Sequence, residues 1–301
     1  MRMSRPGPPI TAPVRPRLGA SIRLTPSAGS ATVADDPLRS RRWALRADPR
    51  TAVRTAVVWD ALDAVVAQQV AATGRAALDV VDLGGGTGGF AVPLAGLGHR
   101  VTVVDPSPDA LAALQRRAAD AGVAGRVRAL QGDAAALADA VPVAGADLVL
   151  CHGVREYGDE PAAAARAAVT TLRPGGVASL LVAQRLGAVL ARALAGRFDA
   201  ARHLLDGPDG RAGAADPLPR RFDRQSLLAL LDGRSVTVQY EHGVRLVTDL
   251  LPGALVDGDP DAAEALLAFE RAVSGHPQLA LLASHLHLVV RRGEDDRPDG
   301  G

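Results

Sequence analysis

The sequence predicts an α/β chain built on a mostly parallel sheet with helices on both faces, and three observations carry that expectation. Short apolar runs at 78–83, 100–105, 126–131, 146–151 and 176–183 alternate with helix-compatible stretches that begin near Gly89, Pro108, Ala134 and Pro161. Strands covered on both faces and joined by crossover helices produce this alternation. The first run ends in a glycine-rich turn, "VVDLGGGTGGF" at 80–90. With 301 residues and 48% hydrophobic content, the chain can also bury the core that such a sheet requires.

Residues 1–40 are rich in Pro, Ser, Gly and Arg without apolar periodicity, so they are expected to form a disordered basic tail: burial there cannot offset the entropy of ordering. Residues 1–58 hold 11 Arg against Asp35, Asp36 and Asp48, whereas the remainder holds 23 Arg against 30 acidic residues. A basic front is open to two readings, a solvated tail or contact with phosphates such as those of RNA. All 34 basic residues are Arg, a bias that a GC-rich coding sequence explains as well as any functional demand.

The main domain is expected over 41–292. In "RTAVRTAVVWDALDAVVAQQV", from Arg50, the residues Val53, Val57, Leu62, Val65 and Val66 form one apolar stripe at helical spacing. The five strands and their helices follow. About 184–222 is expected to be a helical cap inserted after the fifth strand, an Arg-rich helix-like stretch to Phe198 and then a polar loop, 206–221. Its seven Arg (185, 192, 197, 202, 211, 220 and 221) stand near the C-terminal strand ends, where α/β sheets bind ligands, and either touch phosphate or carboxylate or form a solvated face. Asp223 can cap the helix "RQSLLALL"; "SVTVQYEHGVRLV", 235–247, reads as a strand or hairpin; Asp261–Ser274 reads as a helix and "HLHLVVRR", 285–292, as the last strand. Residues 293–301 are expected to be a second disordered tail.

Several function classes are excluded. A single cysteine, Cys151, allows no intrachain disulfide, and the seven His show no ligand-spaced set such as HExxH, so no metal is expected. No apolar run is long enough for a membrane span and no signal peptide is evident, which reads as a soluble cytoplasmic protein.

Gly84, Gly86 and Gly89 satisfy G-x-G-x-x-G between a strand and a helix, and Asp105 ends the second strand where it can accept hydrogen bonds from ribose hydroxyls. That pattern alone also fits a dinucleotide. Asp82 argues for a different occupant, because a carboxylate ahead of the glycines repels a pyrophosphate and attracts a cationic amino group. A chain without Lys also has no Tyr-x-x-x-Lys.

The set Asp82-x-Gly84-x-Gly86-x-Gly88 resembles motif I of class I S-adenosylmethionine-dependent methyltransferases. "QGDAAAL" places Asp133 and Ala134 where that family contacts adenine, and "LRPGG", 172–176, resembles its turn before strand five. The resemblance implies a Rossmann-like sheet, mostly parallel with an antiparallel last strand, and S-adenosyl-L-methionine on Asp82, Gly84, Gly85, Gly86, Asp105, Asp133 and Ala134. "VRTAVVWDALDAVV" (53–66), "LCHGVREYGDEP" (150–161) and "LAGRFDA" (194–200) further resemble the bacterial tRNA 5-carboxymethoxyuridine methyltransferase family. That likeness implies Arg54 at the methionine carboxylate, His152 at the cofactor edge, and methylation of a wobble-uridine carboxyl in tRNA. A carboxylate is already nucleophilic, so no general base is nominated. Glu156, Tyr157 and Arg197 are the candidates to face substrate, Tyr157 by stacking on a base.

The family's tyrosine-and-arginine run after the sixth strand is replaced here by "VTDLLPGALV", with Leu250 and Pro252 where polar groups are expected, and its Lys-Gly pair by Arg50-Thr51. This keeps open a small-molecule O- or N-methyltransferase and, from a different class, a cofactor-binding module without turnover. The acceptor atom and the oligomeric state are not encoded in any motif.

Overall fold

The computed structural model describes residues 49–134, 137, 141–153, 161–231, 235–252 and 260–294. Contacts divide the chain into residues 1–36 and 37–301, and everything described lies in the second unit. Residues 1–40, the greater part of 293–301 and the helical stretch expected from Ala134 fall largely or wholly outside the described residues.

The elements, in chain order, are α1 (Pro49–Thr73), β1 (Asp79–Leu83), α2 (Ala91–Gly96), β2 (Arg100–Asp105), α3 (Pro108–Asp120), β3 (Val127–Gln131), β4 (Ala146–His152), α4 (Pro161–Thr171), β5 (Leu172–Ala183), α5 (Arg185–Leu194), α6 (Phe198–Asp206), α7 (Arg224–Ala229), β6 (Val236–Val244), α8 (Pro260–Ser274) and β7 (His285–Arg292). The sheet has seven strands in the order β3-β2-β1-β4-β5-β7-β6. The last strand, β7, runs antiparallel to both β5 and β6, and the pairings among β1 to β5 are parallel.

The sequence sets these elements through burial. β4, "ADLVLCH", is buried from Ala146 to Cys151, the continuous apolar run of a strand covered on both faces. Edge strand β3 shows no such run. Successive residues of β1 supply opposite layers. Val80 packs with Val57, Leu62 and Val65 of α1, while Val81 packs with Cys151 and with Ala165 and Val169 of α4. Two helix starts follow capping chemistry: Ser107 accepts from Ala110 N at 3.2 Å with Pro108 at the first position, and Asp223 forms a reciprocal capping box with Ser226.

Two local expectations are corrected. "LRPGG" is not a turn ahead of strand five but the first part of β5, irregular in its register with β4 and bent at Gly175, which has φ +74. Its carbonyls are claimed by distant side chains: Arg291 donates to Gly175 O (2.7 Å) and Arg292 to Leu172 O (2.6 Å), which holds the segment in the sheet. The helix-like stretch to Phe198 ends earlier than expected, and a second helix starts at Phe198. α5 stops at a turn where Gly196 has φ +70, and α6 then runs to Asp206, into the start of the stretch read as a loop.

Candidate functional site

The strand order reverses direction of growth between β1 and β4, and the crevice outside the C-terminal ends of such strands is where an open α/β sheet places a ligand. The glycine turn after β1, Asp105 at the end of β2 and His152 at the end of β4 all stand there.

Asp82 is the organising residue. It is 2% exposed on β1, and its Oδ2 has no hydrogen-bond partner among the described residues. Burial, with the neighbouring charge of Asp105 adding to it, pushes its carboxyl up to about 7. A Cβ on Gly85 would lie 2.5 Å from the Asp82 Cγ and Oδ2, so only glycine lets the turn lie over this carboxylate. Gly84 and Gly86 have φ of +69 and +53; Gly84 N donates to Val104 O at 2.7 Å, and Gly86 N to Asp105 Oδ2 at 2.9 Å. Ser107 N donates to Asp105 Oδ1 at 2.9 Å. Each Asp105 oxygen keeps acceptor capacity beyond its one backbone donor. The fit to a cationic amino group is chemical: a buried, unpartnered carboxylate at a glycine turn asks for a donor or a positive charge.

Asp133 and Ala134 follow the C-terminal end of β3, Asp133 exposed and Ala134 packed against the core. Gly132 N donates to Asp105 O at 3.2 Å, which ties that loop to β2.

Arg54 is 48% exposed on α1 and forms an ion pair with Asp249 (3.2 Å), which Arg245 also approaches (3.5 Å). Arg245 Nη2 stands 2.8 Å from His285 Nε2. Arg54 is therefore part of a charged cluster with the segment after β6, a partnership that no spacing in the sequence signalled. His152 is half-buried, its ring edge-on to Phe90 with centroids 4.7 Å apart. Phe90 in turn meets Trp59 of α1 at 5.0 Å. Burial drives the His152 imidazole down to about 3, so the ring is neutral.

Of the three substrate candidates, Arg197 is the one among the described residues. Arg197 lies in the exposed turn between α5 and α6, flanked by the exposed Leu194 and Phe198. Glu156 and Tyr157 lie outside the described residues. Two of the seven Arg at 185–221 are corrected outright. Arg185 donates to Gly207 O (3.2 Å) and Pro208 O (2.7 Å), and the buried Arg221 pairs with Asp216 (2.5 Å) and donates to Gly210 O (3.0 Å). Both are consumed in folding their own loop.

The sequence reading missed Ser179 and His287, which hold His152 from below. His152 Nε2 is 2.9 Å from Ser179 Oγ, and that oxygen is 2.7 Å from His287 Nε2. The alternation in "HLHL", 285–288, placing two His on one strand face, was the available signal. Among the described residues no group of three or more His, Cys, Asp or Glu is arranged to hold a metal ion, and no helix is long and apolar enough to cross a membrane.

Comparison with known proteins bears on the same region. Residues 80–176 match a family model described as a methyltransferase domain. Over 242 residues, 80% of this chain and 88% of the relative, the sequence is 28% identical to the tRNA 5-carboxymethoxyuridine methyltransferase of Escherichia coli K12. Among solved structures, an S-adenosylmethionine-dependent methyltransferase from Mesorhizobium loti aligns with a TM-score of 0.51 at 19% identity, covering 80% of this chain and all 100% of that one. Magnesium protoporphyrin IX methyltransferase from Synechocystis, with bound SAH, aligns with a TM-score of 0.52 at 17% identity over 85% of this chain and 93% of that one. These two likenesses show a shared Rossmann-like fold.

Proposed function

Starting from a chain that is a class I S-adenosylmethionine-dependent methyltransferase, we propose that it acts in the cytoplasm on tRNA, methylating the carboxyl group of a modified wobble uridine. The single observation that carries this reading is the extent of the likeness to the Escherichia coli tRNA enzyme, which reaches well beyond the 80–176 domain.

Bound S-adenosylmethionine supplies a methyl group on a sulfonium, a good leaving group. The remaining work belongs to the chain. Asp82, under the turn of Gly84, Gly85 and Gly86, would take the cationic amino group and become ionised by it. Asp105 would accept from the ribose, and Asp133 with Ala134 would meet the adenine. Arg54 and His152 would border the methionine end. A carboxylate acceptor needs alignment and removal from water more than a base, so orientation within the crevice carries the rate.

A second reading, methylation of a small molecule at oxygen or nitrogen, is favoured by one observation. After Asp249 the chain presents Leu250, Leu251 and Pro252 where an anchor for an acidic tRNA substituent would be polar. Labelled methyl transfer to bulk tRNA from cells lacking this protein, run beside a small-molecule extract, separates the two. The tRNA reading expects label in a nucleoside, released by mild base as an ester is. Label confined to the small-molecule extract overturns it, and absence of any labelled product leaves a binding module without turnover.

A further inference from the structure

The Arg54 guanidinium is half exposed on α1, and its partner among the described residues is the carboxylate of Asp249, 3.2 Å from Nη2. Asp249 is 24% exposed, and Arg245 approaches its other oxygen at 3.5 Å. Arg245 is fixed in turn. It has φ +62, in the left-handed region that a residue with a side chain adopts only where its surroundings impose it. Its carbonyl accepts from Ser284 N at 3.1 Å, and its Nη2 donates to His285 Nε2 at 2.8 Å. Burial, with the charges of Arg245 and Arg54 adding to it, holds the His285 imidazole down to about 3, so the ring is neutral and can accept. Between Arg245 and Asp249, three backbone N–H groups are held by the buried carboxylate of Glu270.

Strand register places this cluster at the crevice edge of the sheet. His285 pairs with Ala183 at the end of β5 and with Val244 at the end of β6, and Leu181, two residues before Ala183, pairs with His152 at the end of β4. Arg245 follows Val244 directly, so it stands beyond the C-terminal strand ends, as the glycine turn does. On α1, Arg54 precedes Trp59 by about 7.5 Å along the helix axis. The Trp59 ring meets Phe90, which follows the glycine turn. This stretch of α1 therefore runs from the charged cluster to the glycine turn, and the Arg54 guanidinium at its start is open to solvent.

A guanidinium has five N–H donors. Asp249 contacts Arg54 through Nη2, which leaves donors for a second, bidentate carboxylate. Charge is left as well, because Asp249 is also matched by Arg245. Without Asp249, an exposed Arg side chain ranges over many rotamers, and a ligand has to order it at a cost in affinity. With Asp249 in place, that ordering precedes the ligand.

We infer that Asp249 is a positioning residue for cofactor binding: anchored by Arg245 and by the Glu270 clamp, it holds the Arg54 guanidinium at the crevice edge for the carboxylate of the methionine end. This rests on the reading of Arg54 as a cofactor-binding residue and does not depend on which molecule accepts the methyl group. Calorimetric titration of the full-length protein with S-adenosylmethionine and with its decarboxylated counterpart, which keeps the amino group for Asp82, tests it. Asp249→Ala is expected to weaken S-adenosylmethionine roughly three- to ten-fold and to leave the decarboxylated ligand within about two-fold of native. Arg54→Ala should show the same selective loss, and adding Asp249→Ala to it should cost nothing further. An equal loss of both ligands in Asp249→Ala, which a merely structural role would give, overturns the inference, as does an unchanged affinity. Tighter binding also overturns it, by showing that Asp249 competes with the ligand carboxylate for Arg54. Selective loss in Arg54→Ala without one in Asp249→Ala refutes this inference alone, whereas no selective loss in Arg54→Ala removes the reading of Arg54 with it. If the alanine variant does not fold, Asp249→Asn on the same two ligands decides. It removes the charge and keeps a weaker acceptor, so a smaller loss confined to S-adenosylmethionine is expected, and no selective loss overturns the inference.

Discussion

At Asp82 a single carboxyl group sets stability against binding. Its pKa in the folded chain, about 7, lies above the usual aspartate value, so the folded state holds a proton there that the unfolded chain releases. Stability contributed by this group is greatest at low pH, falls as pH rises from about 4 to about 7, and levels off above that. Asp82→Asn removes the buried charge. The cofactor-free variant should be more stable than the native chain at pH 8, by on the order of 1–2 kcal/mol, with the gain shrinking at pH 5 and vanishing near pH 4. Its affinity for S-adenosylmethionine should fall at least ten-fold, because an amide cannot pair with the amino group as a carboxylate does. Thermal melts at these pH values and calorimetric titration check both halves, and an unchanged affinity would remove Asp82 from the cofactor site.

Among the elements, α8 is tied to the end of β6 through one side chain. Glu270 is buried, and its carboxylate accepts from the backbone N–H groups of Leu246 (2.9 Å), Val247 (3.0 Å) and Thr248 (2.8 Å) and from the Thr248 hydroxyl (2.6 Å). These residues lead directly to Asp249, the partner of Arg54 and Arg245. Glu270→Ala strands three backbone donors, that of Leu246 buried and those of Val247 and Thr248 partly so, and should lower stability by about 2–4 kcal/mol, a fall in Tm of about 5–10 °C. It should also loosen the Arg54–Asp249 pair, so cofactor affinity is expected to drop even after correction for unfolded protein. A melt within 1–2 °C of native would mean that the packing of α8, and not this carboxylate, holds the segment.

The whole molecule should respond to mild acid through its buried histidines. Burial pushes His152 and His285 down to about 3, with Arg245 and Arg54 adding to the effect at His285, and pushes His287 well below the usual range. Each is neutral in the fold, whereas the unfolded chain takes up protons as pH falls below about 6.5. Their contribution is complete above that pH and is lost progressively below it, opposite in sign to Asp82. Burial lowers His99 and His242 as well, so five imidazoles act against one carboxyl and the cofactor-free chain should lose a few kcal/mol between pH 7.5 and pH 5. A Tm that is flat or rises over this interval would show that these rings are hydrated or paired with protons in the native state. Asp216, held down to about 2 despite its burial by Arg221 and the amides of Ala212 and Leu218, adds a second loss only at much lower pH.

Much of this chain could be read before folding. The central strands are largely apolar runs alternating with helices, so the sheet class, the glycine turn, Asp82 and Asp105 follow from neighbours within a few positions, whereas the strand order does not. Chemistry that depends on short-range spacing is visible in one dimension. The tertiary structure alone decided the rest: that Arg54 meets Asp249, that Arg185 and Arg221 spend their charges inside a loop, that "LRPGG" joins the sheet through Arg291 and Arg292, and that His152 and His287 both hydrogen-bond to the Ser179 hydroxyl. Each of those groups is separated from its partner by turns, helices or whole strands, and its role comes from removal from water beside that partner. Burial and register, which exist only once the sheet has closed, determine what such a side chain can do.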